Sequence, residues 1–529
     1  MKTYLDLKCG LKPFYWNEGE SRNILFISLD MVPPLFYLNK NEEIRTPNLD
    51  YLRKEGWFFK NAFSSSPLCT PSRASLLTGR YSYITGNPER GHDGHTFYLR
   101  EQDIIFPEYL KAAGYHLRHF GKCHIGSGRV IEVFGENATP WDRWSPPWYD
   151  DDEYLTFLKC KGYGPIDFNR KIYGLDSSGL GEGNFYGGWI APDGENPFTK
   201  DITYPAFLVD KVISALEVKP RRTGPFYFQL DFFGPHQPFA IPAGVEERER
   251  EIRKMMKLPE SYIKLMENDF KAPWPEPRIY RMYRKNWGLM NEQIAIDYRV
   301  ANQLQYELLD EQIGRLFDYL KKVELYDDTW IIFIADHGEM NGEMALIDKG
   351  SYLNPLTIRV PVIVKPPQSL RTNGGGKEIE SLVSLLDLAP TILEIGGIRT
   401  ECRLDGICLS DFLDKPRPED KPVLFEVWSH VMVNPSVGMV FQAENGNLYS
   451  FIYNACDDQD ELYRLDNKSE YLNLIEDSGM KTIRKEAIGT MARFLAADPR
   501  WFGYSQYINL EYSEELPGKR GDTQFFRKE

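Results

Sequence analysis

Ile24-Leu25-Phe26-Ile27-Ser28-Leu29 is a short apolar run that stops at Asp30. Its length and its lack of polar alternation predict a strand buried on both faces, as in a parallel sheet, with a carboxylate delivered at its C-terminal end. Trp330-Ile331-Ile332-Phe333-Ile334-Ala335 repeats the device and stops at Asp336. Phe226-Tyr227-Phe228-Gln229-Leu230-Asp231 leads to His236, and the segment from Tyr115 through Phe120 leads to Lys122. Open α/β sheets bind ligands at the carboxyl ends of their strands, so these four polar endings are candidates to meet in one site.

Helical segments lie between these strands: Thr46 to Gly56, Ile104 to Ala113, Ala206 to Leu216 and the longer Asn291 to Lys322. Val360 to Val364 reads as a further strand, and Asp387-Leu388-Ala389-Pro390-Thr391-Ile392-Leu393 opens a helix ending near Gly396-Gly397. The alternation predicts an α/β fold, a large mixed and mostly parallel sheet sandwiched by helices. From about Tyr149 to Lys200, acidic, aromatic and Gly-rich residues crowd together with little periodicity, which reads as an insertion. After Val423-Leu424-Phe425-Glu426-Val427 the alternation fades, and a smaller C-terminal domain on a short antiparallel sheet is expected. The boundaries drawn are 1–432 for the larger α/β domain and 433–529 for the smaller α+β domain and its tail. The aromatic and charged tail after Pro499 is a candidate to close the pocket or to join a homo-oligomer.

A chain of 529 residues, 42% apolar and 26% charged, has ordinary globular composition and room for two domains. The formal net charge of -14 disfavours general binding to nucleic acid or to anionic membranes, both of which reward basic surfaces. Any positive potential must be local. Seven scattered cysteines lack metal-ligand spacing and are expected to be free thiols. The start, Met1 to Gly10, has no apolar core of signal-peptide length and no transmembrane run is present, so a cytoplasmic location is expected.

Cys69-Thr70-Pro71-Ser72-Arg73 continues as Ala74-Ser75-Leu76-Leu77-Thr78-Gly79-Arg80. Thr70 reads as an N-cap, Pro71 suits a first helical turn and Gly79 can end the helix. Cys69 would then sit at a helix entrance, where free N–H groups and the dipole favour an anion and depress a thiol pKa. The string resembles the signature of type I sulfatases, in the alkaline phosphatase superfamily. There, Cys-X-Pro-X-Arg is read by maturation machinery that oxidises the cysteine to formylglycine (3-oxoalanine). The hydrated aldehyde supplies one hydroxyl to attack sulfur and another to expel the sulfated intermediate.

Further motifs occur in that family's order. Asp30 matches its first metal carboxylate, and Asp336-His337-Gly338-Glu339 its second metal element. Gly121-Lys122-Cys123-His124-Ile125-Gly126 resembles "GKWHLG", with Cys123 in the Trp position. Pro235-His236-Gln237-Pro238 resembles "PHxP", Lys349 with Ile358-Arg359-Val360-Pro361 resembles "K...RVP", and Asp460 to Asn473 resembles "ELYDL...E..NL". Singly, an Asp after a strand, a Lys or a His has an ordinary structural explanation. Together and in order they do not.

The resemblance implies a sulfuric ester hydrolase acting on a carbohydrate or small-alcohol sulfate. Asp30, Asp336, His337 and the formylglycine at Cys69 would hold one divalent cation. Lys122 and Lys349 would clamp sulfate oxygens, Arg73 would fix the formylglycine hydroxyl, and Asp336 would be the base for attack. His236, supported by Lys349, is the candidate acid for the leaving alkoxide, and His124 the base that drives sulfate elimination. His95, in Gly91-His92-Asp93-Gly94-His95, is a candidate substrate-pocket residue ahead of His92. The partners implied are a sulfated small molecule or glycan and a formylglycine-generating enzyme.

Met31 departs from the Asp-Asp of many sulfatases. Choline sulfatases and phosphonate monoester hydrolases also replace that second Asp, usually by Gln, and pair this with Asp-His at the other element. A thioether cannot serve a hard cation as an oxygen ligand. Calcium leads by family, with manganese or magnesium as alternatives. Two other readings follow from Met31: a phosphonate monoester or phosphodiester hydrolase, and a metal-site-impaired binding protein.

Overall fold

Strand β1 (Asn23–Asp30) carries the run that begins at Ile24, and Ile24, Leu25, Phe26 and Ile27 are at most 1% exposed. Burying side chains of this size contributes about 1.5–3 kcal/mol each, which is why the run shows no polar alternation. A computed structural model of the chain describes residues 22–38, 43–81, 99, 103–135, 138–166, 168–172, 188–192, 198–218, 224–371, 376–413, 415–418, 422–457, 459–465, 471–498 and 501. His92, His95 and nearly all of the tail after Pro499 lie outside these described residues.

The strands after β1 are β2 (Trp57–Phe63), β3 (His116–Lys122), β4 (Thr139–Trp141), β5 (Phe168–Ile172), β6 (Gly188–Pro192), β7 (Phe226–Pro235), β8 (Phe239–Ala240), β9 (Thr329–Ala335), β10 (Val362–Lys365) and β11 (Lys377–Ser384). The main helices are α1 (Pro47–Glu55), α2 (Cys69–Thr78), α3 (Phe106–Ala112), α4 (Tyr204–Val218), α5 (Arg278–Trp287), α6 (Glu292–Lys322) and α7 (Leu388–Ile395). Eight strands form one sheet in the order β11-β2-β10-β9-β1-β7-β3-β4. Its pairings are parallel except at β10, which runs antiparallel to both neighbours. Helices α1, α4 and α6 pack together over one face, and α2, α3 and α7 pack together on the other. This is the helix-covered mixed sheet that the alternation predicts.

Register brings the strand ends level. Leu29 pairs with Ala335, Asp30 with Pro235, and Gly121 with Asp231. Gly121 is required there: its φ is +96°, and a Cβ would lie 2.0 Å from the carbonyl oxygen of Asp231.

The segment read as an aperiodic insertion contains a helix, Asp152–Cys160, whose N-cap Asp151 accepts from the N–H groups of Glu153 and Tyr154. It also supplies β5 and β6, which form a small sheet with β8. A separate antiparallel sheet contains β12 (Val423–His430), β13 (Met432–Gln442), β14 (Leu448–Asn454) and β15 (Glu461–Arg464). It begins at Val423, before the boundary drawn at residue 433. One face packs helix α8 (Lys481–Ala497) through Ile483, Ala487, Met491 and Leu495. Val423, Phe425 and Val427 pack on Phe63, Leu68 and Ile358 of the larger unit. Cys69, Cys123, Cys160, Cys408 and Cys456 are free thiols, whereas Cys402 is disulfide-bonded, against the expectation of free cysteines throughout. Among the described residues, no helix is long and apolar enough to cross a membrane.

Candidate active site

Four adjacent parallel strands, β9-β1-β7-β3, end in polar groups on one edge: Asp336-His337 follows β9, Asp30 ends β1, His236 follows β7 and Lys122 ends β3. Helix α2 adds Cys69 and Arg73, one turn apart on one face. The helix starts two residues earlier than its capping pattern suggests. Leu68, extended and buried, is the N-cap with no side-chain cap bond, and Thr70 lies inside the first turn. Packing of Leu68 against Phe63 and Ile358 outweighs the intrinsic capping preference of Thr70. Cys69 is therefore the first helical residue, within reach of the helix dipole, and Gly79 ends the helix at φ 64° as expected.

Asp30, Cys69, Asp336 and His337 each offer one ligand atom within 4.8 Å of the others, and all four are buried. The Sγ of Cys69 is 3.1 Å from His337 Nε2 and 3.6 Å from Asp30 Oδ1. His337 Nδ1 faces the carbonyl of Gly338 at 2.9 Å, which orients Nε2 into the cluster. Two carboxylates, an imidazole and the oxygen that formylglycine would present at position 69 form a donor set suited to a divalent cation. Met31 adds no side-chain oxygen. Its backbone N–H donates to Asp336 Oδ1 at 3.1 Å, and its Sδ lies 3.8 Å from Lys349 Nζ.

Lys122, Arg73 and Lys349 lie around this cluster. Lys122 Nζ is ion-paired with Asp30, both fully buried. Arg73 Nε donates to Asp336 Oδ2 at 2.8 Å and its Nη1 to the carbonyl of Lys122 at 2.9 Å. Lys349 Nζ is 2.7 Å from His236 Nε2. An ammonium has no lone pair, so Lys349 donates, Nε2 accepts, and Nδ1–H of His236 points to the carbonyl of Gln237 at 2.5 Å.

Charge states follow from these neighbours. Burial pushes the Asp30 carboxyl up, but Lys122, Arg73 and Lys349 outweigh it and hold the group well below its usual range. Burial and Asp30 raise the Cys69 thiol while Lys122, Lys349 and His337 lower it, with a net downward shift. Burial lowers His337, yet Asp336 and Cys69 carry it up to about 9. Burial, then Lys349, lowers His236 to about 3, and burial, then Lys122, takes His124 well below its ordinary value. Both are neutral bases. Burial opposes the charge on Lys349, but Asp348 and Cys69 raise it overall. In the Lys349–His236 pair the proton therefore sits on the lysine.

Several neighbours were not singled out as site residues. Asp231 accepts from Ser28 Oγ and from Gln229 Nε2 at 2.7 Å, pairs with His119 Nε2 at 2.9 Å, and lies 3.7 Å from Arg73 Nη1. Asp348 Oδ1 is 3.2 Å from Lys349 Nζ. His430, at the end of β12, has its carbonyl held by Tyr283 OH and by Ser351 Oγ, two residues beyond Lys349. For Asp231 the signal was present, a carboxylate inside an otherwise apolar strand. For His430 no sequence spacing pointed to the site.

The family profile described as "Sulfatase" matches residues 22–398. The chain belongs to the sulfatase family. This sulfatase, a sulfuric ester hydrolase of the alkaline phosphatase superfamily, also matches the profile "N-sulphoglucosamine sulphohydrolase, C-terminal" over residues 342–495. It is 27% identical over 392 residues to the uncharacterized sulfatase YidJ of Escherichia coli strain K12, covering 73% of this chain and 69% of that protein. It is 26% identical over 406 residues to the arylsulfatase of Clostridium perfringens, covering 74% and 78% respectively. The crystal structure of the phosphonate monoester hydrolase of Agrobacterium radiobacter shares the fold, with a TM-score of 0.67 at 19% identity over 90% of this chain and 95% of that one.

Proposed function

We propose that this sulfatase hydrolyses sulfate monoesters of carbohydrate hydroxyls, using a formylglycine made from Cys69 and one divalent cation held by Asp30, Asp336, His337 and residue 69. The observation that carries the reading is the four-donor cluster within 4.8 Å, complete without Met31 and flanked by Lys122, Lys349 and Arg73. That completeness argues against an impaired binding protein. The formylglycine hydrate would supply the attacking hydroxyl, and the cation would offset sulfate charge as a Lewis acid. Calcium leads by family, with manganese or magnesium as alternatives given His337 and Met31. Cys69 is fully buried, so its conversion by a formylglycine-generating enzyme must precede completion of the fold.

The chain's own residues do the rest. Lys122 and Lys349 bind and neutralise sulfate oxygens. Arg73 holds Asp336 in its orientation as base. The Lys349–His236 pair supplies the proton that a sugar alkoxide needs on leaving, and the proton begins on Lys349. His124, neutral in the folded protein, accepts a proton in the elimination of sulfate. A leaving group of this kind, together with the N-sulphoglucosamine sulphohydrolase profile, favours a sugar over a phenol.

The test is to mature the enzyme, confirm residue 69 by peptide mass, and measure sulfate release from a panel of sulfated monosaccharides and aryl sulfates beside a matched aryl phosphonate monoester. Release of sulfate from sugars is expected. No release from any sulfate ester, with formylglycine confirmed, would sink the reading, and a preference for the phosphonate would replace it with phosphonate monoester hydrolysis.

A further inference from the structure

The Lys349–His236 pair belongs to a closed circuit. Lys349 Nζ donates to His236 Nε2 at 2.7 Å, and His236 Nδ1–H donates to the carbonyl of Gln237 at 2.5 Å. The amide Nε2 of Gln237 donates to Asp348 Oδ2 at 3.2 Å, and Asp348 Oδ1 returns to Lys349 Nζ at 3.2 Å. The four residues form two adjacent pairs, one after β7 and one in the loop after β9, so the circuit ties together two segments far apart in the chain. Gln237, Lys349 and His236 are at most 4% exposed.

The circuit is braced from behind. Asp348 Oδ1 accepts from the backbone N–H of Lys349 at 2.7 Å, and the backbone N–H of Asp348 donates to Glu339 Oε1 at 2.7 Å. Tyr298 OH lies 3.2 Å from Gln237 Oε1 and 3.3 Å from the same Glu339 oxygen. Asp348 itself has φ 65°, a left-handed conformation that Asp tolerates better than most residues and that persists only where surrounding bonds hold it.

This geometry separates the two ammonium groups of the site. Lys122 is committed to Asp30 on the metal side. Lys349 also feels Asp30 and Cys69, and its long stem would let it swing toward them. Asp348 holds it on the other side, against His236; the backbone carbonyl of residue 237 fixes which ring nitrogen of His236 carries hydrogen, and the Gln237 side-chain amide holds Asp348 in place. We infer that Asp348 and Gln237 are positioning residues for leaving-group protonation, holding Lys349 and His236 as one aligned proton-delivering pair. The inference rests on the proposed sulfate ester reaction. As an oxygen that residue 69 would supply bonds to sulfur, its proton passing to Asp336, the bond from sulfur to the leaving oxygen breaks and its electron pair passes to that oxygen, which takes a proton from Lys349 Nζ. The products are a neutral alcohol and a neutral amine, and the amine regains its proton from solvent water.

Proton delivery matters most for poor leaving groups, so the test is a linear free-energy plot. The matured wild type, Asp348→Asn and Gln237→Leu are assayed on ring-substituted phenyl sulfates running from 4-nitro to 4-methoxy, and kcat/KM is plotted against phenol acidity. The wild type is expected to give a shallow dependence. Both variants are expected to give a steeper one, losing about tenfold or more on the 4-methoxyphenyl ester relative to the 4-nitrophenyl ester, within the range of general acid catalysis. The slope does not depend on the fraction of protein that is active, so a partly folded variant still answers. An unchanged slope in Asp348→Asn overturns the inference. If that variant does not accumulate, Gln237→Leu decides by the same criterion with Asp348 intact. A matured wild type inert on the whole series sinks the sulfatase reaction itself, an outcome distinct from an active wild type whose variants keep its slope.

Discussion

Replacing Asp231 by alanine removes one buried carboxylate from beneath the site and leaves several groups without their acceptor. His119 Nε2 at 2.9 Å, Gln229 Nε2 at 2.7 Å and Ser28 Oγ all lose it, and Arg73 loses a counter-charge 3.7 Å away. Hydrogen bonds to a charged group contribute about 1.5–3 kcal/mol each, but such terms overlap. The expected loss is about 3–5 kcal/mol, the range for breaking a buried ion pair. At about 2 °C per kcal/mol for a large domain, the thermal midpoint should fall by roughly 6–10 °C. A pH signature identifies the cause. Burial raises the Asp231 carboxyl, but the His119 hydrogen bond and Arg73 outweigh it, so its folded pKa is depressed. A depressed pKa contributes stability above the unfolded value near about 3.9, and that contribution is lost as pH falls through the lower folded value. The midpoint gap between wild type and Asp231→Asn should therefore be widest at neutral pH and narrow below about pH 4. Scanning calorimetry of both proteins across that range is the assay. An Asp231→Ala midpoint within about 2 °C of wild type, or a gap that does not change with pH, would refute the reasoning.

Gly121→Ala should leave no folded protein, because a Cβ would sit 2.0 Å from the Asp231 carbonyl oxygen at φ +96°; soluble protein with a wild-type midpoint would contradict the register. Cys69→Ala should reduce sulfate release to background while near-ultraviolet circular dichroism is retained, and residual turnover above background would show that residue 69 is not the nucleophile's source. Dialysis against a chelator should lower both sulfate release and the thermal midpoint, with calcium, manganese and magnesium added back singly to rank the cation. Full activity after verified metal removal would dismiss the four-donor cluster as a metal site.

The strands that carry the site were readable because each is a short apolar run with a polar stop, a pattern set by burial on both faces of the sheet. Asp30, Asp336, Lys122 and His236 could thus be placed at strand ends, and the ordered motifs around Cys69 pointed to the sulfatase family. Local preferences misled where tertiary packing was stronger, as when buried Leu68 displaced Thr70 as the cap of α2. The segment after Tyr149 hid a helix because that helix is short, 9 residues in which Tyr154 and Leu158 are the buried positions.

The sequence by itself determined which chemical groups are available and in what order along the chain, because side-chain type and apolar periodicity are local properties. Only the tertiary structure decided how they pair. Parallel neighbours in the order β9-β1-β7-β3 bring the strand ends to one edge, and Arg73 reaches Asp336 across the chain. The circuit of Lys349, His236, Gln237 and Asp348 likewise closes only once the two loops after β7 and β9 meet. Such contacts depend on sheet register and on burial that fixes charge states, including the proton on Lys349 rather than His236, and neither is a property of any short stretch of sequence.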